Sequence, residues 1–393
     1  MKIPVKFVTA LAVTVAAFVV APMIPADAGQ LSGRKVKLGA MVPLTEKGAE
    51  WGQSSKDSME IAADEINAAG GIGGLPLEIL FYDTRAKESE GLNIINRLAE
   101  RDKVLAVVGP CFSSLFEIIA PLLDRLQVAM ISMCSSKPGL SALSKWALRN
   151  TLTSDKQLKP VVAAWAKEYG VKKAVIIHDL EDAVSRAEGA KILPGLLKAN
   201  GIELLDILTY RTKDTDFSAQ ITKAKSLGAE GIAFGSCYQQ AAAVAKEAHK
   251  QGLKVPMVGG ACAGTSGFIK IAGSAAEGAY MSTAAWIDDP RKEVQAYVKK
   301  LQKKMNKPDY KPPYGGPRAY DNIYALKEII ENSGVTNKSG DLASDREKVR
   351  AGFAALNGWN GVAGAITMNE VGDGAGASAI LKVVNGQYTN VAK

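Results

Sequence analysis

The sequence predicts an α/β fold with two doubly wound parallel sheets, one in each of two lobes. Strand-like runs alternate with segments that carry apolar residues at helical spacing, a pattern typical of parallel sheets covered by helices on both faces. The pattern occurs twice in tandem over 393 residues, a length that suits two cores better than one. No Pro- or Ser-rich linker separates the halves, which predicts several short crossovers between them.

The first half is predicted to contain four strands and three helices. Val36–Val42 is rich in β-forming residues, and the segment 53–69 carries apolar residues on one helical face until Gly70 and Gly71 end it. The remaining strands of this half are predicted at 79–82, 104–108 and 128–131, with helices at 90–101 and 115–126.

The second half repeats this alternation. Its strands are predicted at 174–177, 203–208, 231–234 and 255–258, with helices at 158–169, 186–199, 217–227 and 239–251. After residue 284 the chain is rich in helix, with predicted helices at 291–305 and 320–332. The Gly-rich stretch 372–376 is predicted to turn into a final strand, Ala379–Val384.

The chain opens with a predicted export signal. Lys2 and Lys6 precede an apolar run over 7–20, and a small-x-small site at 26–28 predicts cleavage after Ala28. A retained N-terminal anchor is the alternative for this segment. No later apolar run approaches the roughly 20 residues that a membrane helix needs. We therefore expect the mature protein to work outside the cytoplasm, which excludes most cytoplasmic enzyme classes.

Composition and charge argue against a disordered protein and against nucleic-acid binding. Hydrophobic residues make up 47% and charged residues 22% of the chain, as in globular proteins. The formal net charge is +8, but the lysines are scattered apart from a group over 299–307 on a helical pattern. Nucleic-acid binding would require basic residues interleaved with exposed aromatic residues. We therefore interpret this group as a solvated helix face and expect no nucleic-acid partner.

The sequence contains none of the catalytic or metal motifs that we sought. The HExxH, GxSxG and P-loop patterns do not occur. The two histidines, His178 and His249, fall at a strand end and on a helix, where structural or exposed roles are common. We predict no catalytic residue, no cofactor and no metal. An enzyme remains an alternative only through the four cysteines, as a thiol or metal-dependent protein.

Each of the four cysteines follows a predicted strand within a few residues, at Cys111, Cys134, Cys237 and Cys262. The carboxyl ends of strands form the ligand crevice of a doubly wound sheet. The spacings match no CxxC-type metal site, and two cysteines come from each half. Beside the alternative of a thiolate metal site, two interpretations stay open: small polarizable residues that line a cleft, or a disulfide, for which neighbouring strands would make Cys111 and Cys134 a pair.

Two loops of the first half are rich in serine. The loops 109–114 and 132–138 place hydroxyls and free backbone N–H groups at or near predicted helix starts. Such ends bind anions because unpaired donors and the helix dipole point the same way, although serine is also a common helix cap. Because both loops lie on one edge of the crevice, together they indicate a carboxylate site.

At these residues the chain resembles the leucine/isoleucine/valine-binding protein family, the type I solute receptors of ABC transporters. The resemblance covers nearly the whole mature chain. It rests on the runs 36–40, 51–52, 64–72, 216–218 and 319–321, of which 64–72 (Asp-Glu-Ile-Asn-Ala-Ala-Gly-Gly-Ile) is the most specific.

This resemblance implies the architecture, location and partner of the protein. It implies two lobes joined by three hinge crossovers, with the ligand trapped by hinge closure. The predicted lobes are 29–152 plus 284–372, and 153–283 plus 373–393. The resemblance also implies a monomer in the periplasm that passes a small-molecule carboxylate ligand to an ABC permease in the inner membrane.

The family's pocket maps well onto the first lobe. Trp51 matches an aromatic wall position, and Ser113 matches the serine that binds the ligand carboxylate. Cys134 and Ser136 fall where the next loop offers a backbone carbonyl and a hydroxyl. The candidate ligand-binding residues of this lobe, with their loop neighbours, are Trp51, Phe112, Ser113, Cys134, Ser135 and Ser136.

The second lobe departs from the family's pattern. Ala183 and Cys237 stand where aromatic wall residues are expected, with Tyr238 beside the latter. Ala261 stands where the acid that pairs with the ligand's ammonium group is expected. The candidate residues of this lobe are Ala183, Cys237, Tyr238 and Ala261.

The residue at 261 decides the predicted ligand. A buried ammonium without a carboxylate partner costs several kcal/mol, so Ala261 disfavours an α-amino acid unless Glu181 or Asp182 substitutes for the missing acid. We therefore expect a small organic acid without an α-ammonium group, such as an aromatic carboxylate, whose apolar body stacks on Trp51, Phe112 or Tyr238. The alternatives are a binding protein for branched-chain or other amino acids and a ligand-sensing receptor subunit of the same fold.

Overall fold

The computed structural model describes residues 31–46, 48–376 and 378–392 and shows two α/β lobes. The predicted export signal lies outside these residues. Among the helices described, none combines the length and apolarity needed to cross a membrane. The predicted fold class of two lobes with parallel sheets is confirmed.

The first sheet is wholly parallel, with its strands in the spatial order β2-β1-β3-β4-β5. Its strands are β1 (Val36–Val42), β2 (Leu77–Asp83), β3 (Ala106–Val108), β4 (Ala129–Ser132) and β5 (Ala147–Arg149). The helices that alternate with them are α1 (Ala49–Ala68), α2 (Glu88–Asn96), α3 (Ser113–Ile119) and α4 (Leu123–Leu126). The single helix predicted at 115–126 is wrong: a 3₁₀ turn at Ala120–Leu122 divides it, because Pro121 lacks the N–H of a continuous helix.

The second lobe repeats the same strand order. Its parallel strands are β6 (Lys173–Asp179), β7 (Glu203–Tyr210), β8 (Gly231–Gly235), β9 (Met257–Gly259) and β10 (Tyr280–Thr283), arranged β7-β6-β8-β9-β10. Its helices are α5 (Ser154–Tyr169), α6 (Ala183–Ala187), α7 (Leu193–Ala199), α8 (Ser218–Ser226), α9 (Tyr238–Lys250) and α10 (Ser266–Ala272). The helix predicted at 186–199 therefore begins three residues earlier, and a π turn at Glu188–Ile192 interrupts it.

The remaining chain completes both lobes. Helices α11 (Lys292–Met305), α12 (Gly315–Asn332) and α13 (Leu342–Ala354) contribute to the same hydrophobic core as the first sheet. A small antiparallel sheet follows, formed by β11 (Trp359–Gly361), β12 (Gly364–Met368) and β13 (Gly374–Ala375), so the predicted turn at 372–376 also contains a short strand. Strands β14 (Ala379–Val384) and β15 (Gln387–Asn390) then extend the second sheet in antiparallel orientation.

Two buried arginines tie together the three segments that cross between the sheets. The Arg149 Nε donates to Asp373 Oδ1 over 2.6 Å, which joins the first crossover, after β5, to the third, before β14. The Arg318 guanidinium on α12 donates to the backbone carbonyls of Asn150 and Ala284, which joins the first crossover to the second. The hinge is therefore held by buried polar contacts as well as by the chain itself.

Candidate ligand-binding site

A narrow cavity lies between the two lobes, where about 360 Å³ is not filled by atoms and part of that space is open to solvent. It sits at the carboxyl ends of β3 and β4 on the first lobe, and the start of α6 and the loop after β9 close it from the second lobe. Helices α3 and α6 approach each other across the cleft. The lining residues are Trp51, Cys111, Phe112, Ser113, Cys134, Ser136, Val184, Cys262 and Tyr314.

Trp51 reaches the cavity because α1 packs tightly on the loop after β1. A Cβ at Gly52 would lie 1.7 Å from the carbonyl oxygen of Pro43, so only glycine allows this close approach. The Trp51 side chain is 6% exposed, and its ring meets Tyr314 edge-on, with ring centroids 4.9 Å apart. The glycine beside Trp51 therefore positions the aromatic wall that was predicted from the sequence.

Tyr314 closes the same wall from the segment before α12. Its hydroxyl donates to the Cys134 carbonyl oxygen over 2.6 Å, and burial raises the pKa of this hydroxyl. The backbone carbonyl that was expected to serve the ligand therefore already accepts one hydrogen bond, from Tyr314. Tyr314 was not predicted from the sequence, although it stands between two prolines and two glycines, in the run Pro312 to Gly316.

Two of the predicted serines face the cavity and one does not. Ser113, the first residue of α3, and Ser136 line it. The Ser113 Oγ also accepts a hydrogen bond from the Lys137 N–H over 3.2 Å, which joins the two serine-rich loops. The buried Ser135 instead donates to the carbonyl oxygens of Pro110 and Cys111, so its hydroxyl holds the two loops together.

The second-lobe wall consists of Val184 and Cys262. Asp182 caps α6: its Oδ1 accepts from the backbone N–H of Ser185 over 3.0 Å and from the Ser185 hydroxyl over 2.7 Å. This cap fixes the start of the helix and with it the side chain of Val184. Val184 was not predicted from the sequence, although the Asp-x-x-Ser cap at 182–185 indicates the helix start.

The four cysteines form two disulfides, one in each lobe. Cys111 pairs with Cys134, as one of the two open interpretations proposed, and Cys237 pairs with Cys262. Each bond joins the loops after two neighbouring strands, β3 to β4 and β8 to β9. All four cysteines are therefore consumed, which leaves none as a thiolate nucleophile or metal ligand.

The other predicted residues of the second lobe surround the cavity without lining it. Ala183 begins α6 and is 3% exposed. Cys237 is bonded to the lining residue Cys262 but does not itself line the cavity. Ala261 is 4% exposed and packs in the hydrophobic core of the first lobe. Tyr238 is half-buried, and burial followed by the charge of Glu50 raises the pKa of its hydroxyl, which places it near the first lobe.

The two acids named above as substitutes for the missing partner at 261 are already engaged. Glu181 is exposed and accepts hydrogen bonds from the Arg211 guanidinium and the Thr212 N–H. Asp182 caps α6. No acidic or basic side chain is among the nine residues that line the cavity.

Comparison with known proteins shows the family. The family model described as periplasmic binding protein matches residues 35–387. Leu/Ile/Val-binding protein homolog 3 of Brucella melitensis is 26% identical over 86% of this chain and 88% of its own length.

Solved structures show the same fold. A leucine-binding protein from Thermotoga maritima matches with a TM-score of 0.81 and 24% identity, covering 91% of this chain and 98% of its own. A solute-binding protein of an ABC transporter from R. palustris, in complex with 4-hydroxybenzoate, matches with a TM-score of 0.78 and 20% identity, covering 91% and 95%. The chain therefore belongs to the periplasmic binding protein family and is a solute-binding protein of the Leu/Ile/Val-binding type that serves ABC transporters.

Proposed function

We propose that the protein is exported to the periplasm, where it traps a small organic acid between its lobes and delivers it to an ABC permease in the inner membrane. The observation that carries the choice of ligand is the absence of an acidic side chain from the nine lining residues, together with Ala261 at the family's acid position. An α-ammonium group enclosed here would lose its water without gaining a carboxylate, which costs several kcal/mol.

The first-lobe wall has hydrogen-bond donors for the acid group of the ligand. Ser113 and Ser136 present hydroxyls that can donate to a carboxylate, and hydrogen bonds to a charged group contribute about 1.5–3 kcal/mol each. None of the nine described residues that line the cavity is basic, so we propose that hydrogen bonds rather than an ion pair hold the acid group. We therefore propose that the ligand is a monocarboxylate held by neutral hydrogen-bond donors.

The rest of the cavity suits an apolar body. Trp51, Phe112 and Tyr314 offer aromatic surfaces, and Val184 adds an aliphatic one. An aromatic ring enclosed among such groups gains buried area as well as favourable ring geometry. The R. palustris structure in complex with 4-hydroxybenzoate supports this class of ligand by analogy of fold.

Amino-acid binding is the second candidate, because the relatives carry amino-acid names. A thermal-shift screen of residues 29–393 against amino acids and organic acids separates the two. A ligand at a hundredfold excess over its Kd stabilises the fold by about 2.7 kcal/mol. We expect shifts with aromatic or aliphatic acids and none with leucine or valine; shifts with the branched-chain amino acids alone would overturn the proposed ligand class.

The roles of transporter component and of sensory subunit differ in the partner rather than in the cleft. We expect no catalysis, since the cleft-side cysteines are oxidised in pairs and the family consists of solute-binding proteins.

Export predicts a mature N-terminus at Gly29. Intact-mass measurement on the periplasmic fraction checks it, and retention of the leader would favour the anchored form.

A further inference from the structure

Glu188 is a buried acid next to the second-lobe wall, although it is not itself one of the nine residues that line the cavity. It is 1% exposed, and its Oε2 has no hydrogen-bond partner among the described residues. Buried polar atoms are nearly always paired, so an unpaired carboxyl oxygen requires an explanation. Glu188 begins the π turn that interrupts the helix after α6, and such turns occur frequently at functional sites.

The carboxyl of Glu188 lies between the two elements that form the second-lobe wall. Val184, which lines the cavity, is one helical turn before Glu188 and on the same face. On the other side, a Cβ at Gly260 would lie 2.5 Å from Glu188 Oε1 and 2.8 Å from Oε2. Gly260 is two residues before Cys262, which also lines the cavity. Glycine at 260 therefore leaves room for the carboxyl where it lies, and a larger residue would displace it.

The electrostatics place the same carboxyl near the cavity. Burial raises the pKa of Tyr314, the Arg318 charge lowers it and the charge on Glu188 raises it, so Glu188 lies within electrostatic reach of a lining residue. Burial, and secondarily the charge of Asp182, also raises the pKa of Glu188 well above its usual value. A neutral carboxyl can exchange hydrogen bonds with a hydroxyl without burying a charge, whereas an ammonium partner would require the ionised form.

We propose that Glu188 is a specificity-determining residue that hydrogen-bonds a hydroxyl group at the end of the ligand remote from its carboxylate. This inference rests on the proposed function, in which the first-lobe serines hold the carboxylate and direct the other end toward Val184 and Cys262. The ligand class is then a hydroxylated monocarboxylic acid with an apolar, ring-sized body. Without that hydroxyl, the unpaired oxygen of Glu188 stays unpaired in the complex.

Calorimetric titration with benzoate and 4-hydroxybenzoate tests the proposal, because these probes differ only in the remote hydroxyl. We expect wild-type protein to bind 4-hydroxybenzoate about tenfold more tightly than benzoate, the gain from one well-made hydrogen bond. Glu188→Gln keeps an oxygen acceptor and retains most of this ratio. Glu188→Met removes the acceptor and brings the ratio of the two affinities to about one or below.

The matched control is Glu181→Gln, an exposed glutamate seven residues away that pairs with Arg211, and it should keep the wild-type ratio. The ratio is measured within each variant, so a general loss of stability does not imitate the expected result. Equal affinities in wild type, or an unchanged ratio in Glu188→Met, would overturn the inference while leaving organic-acid binding intact. Failure of the wild type to bind either probe, with binding of leucine, would overturn the proposed function and this inference together.

Discussion

The two walls of the cleft have the same scaffold but different chemistry. Each lobe has its strands in one order, and each uses a disulfide to join the loops after two neighbouring strands. The first-lobe wall has serine hydroxyls and aromatic rings, whereas Val184 and Cys262 are the second-lobe residues that line the cavity in the part of the chain that the structure describes. Among the residues that line the cavity, polar and aromatic side chains are therefore concentrated in the first lobe, and we propose that the second lobe encloses the ligand and contacts only its far end.

The hinge that connects the two walls gives the largest expected effect. Asp373→Asn removes the carboxylate from the fully buried Arg149, and an uncompensated buried charge costs about 3–5 kcal/mol. Urea unfolding should show this loss. Asp288→Asn is the control, because Asp288 pairs with Lys311 at the surface, where an ion pair contributes at most about 1 kcal/mol. Equal losses for the two variants would contradict a hinge held by the buried pair.

Removal of each disulfide tests whether the two lobes are stabilised to the same extent by these bonds. They close loops of similar length, with sequence separations of 23 and 25, so the chain-entropy model assigns each about 3 kcal/mol. Replacing Cys111 and Cys134 together by serine, or Cys237 and Cys262 together, should lower the free energy of unfolding by similar amounts. Denaturant unfolding of the two double variants measures it. A loss of unfolding free energy confined to one variant would show that the two disulfides do not stabilise their lobes equally.

Removal of a first-wall hydroxyl tests where the acid group is held. Ser113→Ala should weaken benzoate binding by about 10- to 100-fold, because a hydrogen bond to a charged group contributes about 1.5–3 kcal/mol. Ser114→Ala is the matched control, since Ser114 is the next residue of α3 and does not line the cavity. Calorimetry with benzoate gives both affinities; the same small effect in both would place the carboxylate elsewhere.

A substitution in the second wall should have the smallest effect. Val184→Ala removes apolar contact surface, so we expect about fivefold weaker binding, corresponding to about 1 kcal/mol. The loss should be similar for benzoate and for cyclohexanecarboxylate, because the contact does not involve the acid group. Leu180→Ala, an exposed residue before α6, serves as the control. A larger loss than that of Ser113→Ala would reverse the comparison between the walls.

Much of the scaffold could be predicted from the sequence because long strands and helices carry a clear hydrophobic period. Strands Val36–Val42 and Ala379–Val384 have the predicted bounds. Ala147–Arg149 and Trp359–Gly361 were missed, because three residues are too few to show a period. A strand is then defined by its neighbours rather than by its own residues.

The candidate site was less predictable because its walls come from distant parts of the chain. Family resemblance led to Trp51 and Ser113, which do face the cavity, but it could not reveal Tyr314, whose position depends on packing of the segment before α12. Glu188 was also missed, since a single glutamate on a helix looks exposed in sequence. Its burial follows from the contact with Gly260, 72 positions later.

We propose that this cleft binds a carboxylate without an α-ammonium group. Pairs of ligands that differ only in that group give the most direct test. Phenylalanine and 3-phenylpropanoate differ only in that group, as do leucine and 4-methylpentanoate. Calorimetric titration of the mature protein with both pairs isolates its contribution. We predict that at least one acid binds about a hundredfold more tightly than its amino-acid counterpart, because burying an unpaired ammonium costs several kcal/mol. Tighter binding of the amino acid in either pair would contradict the account.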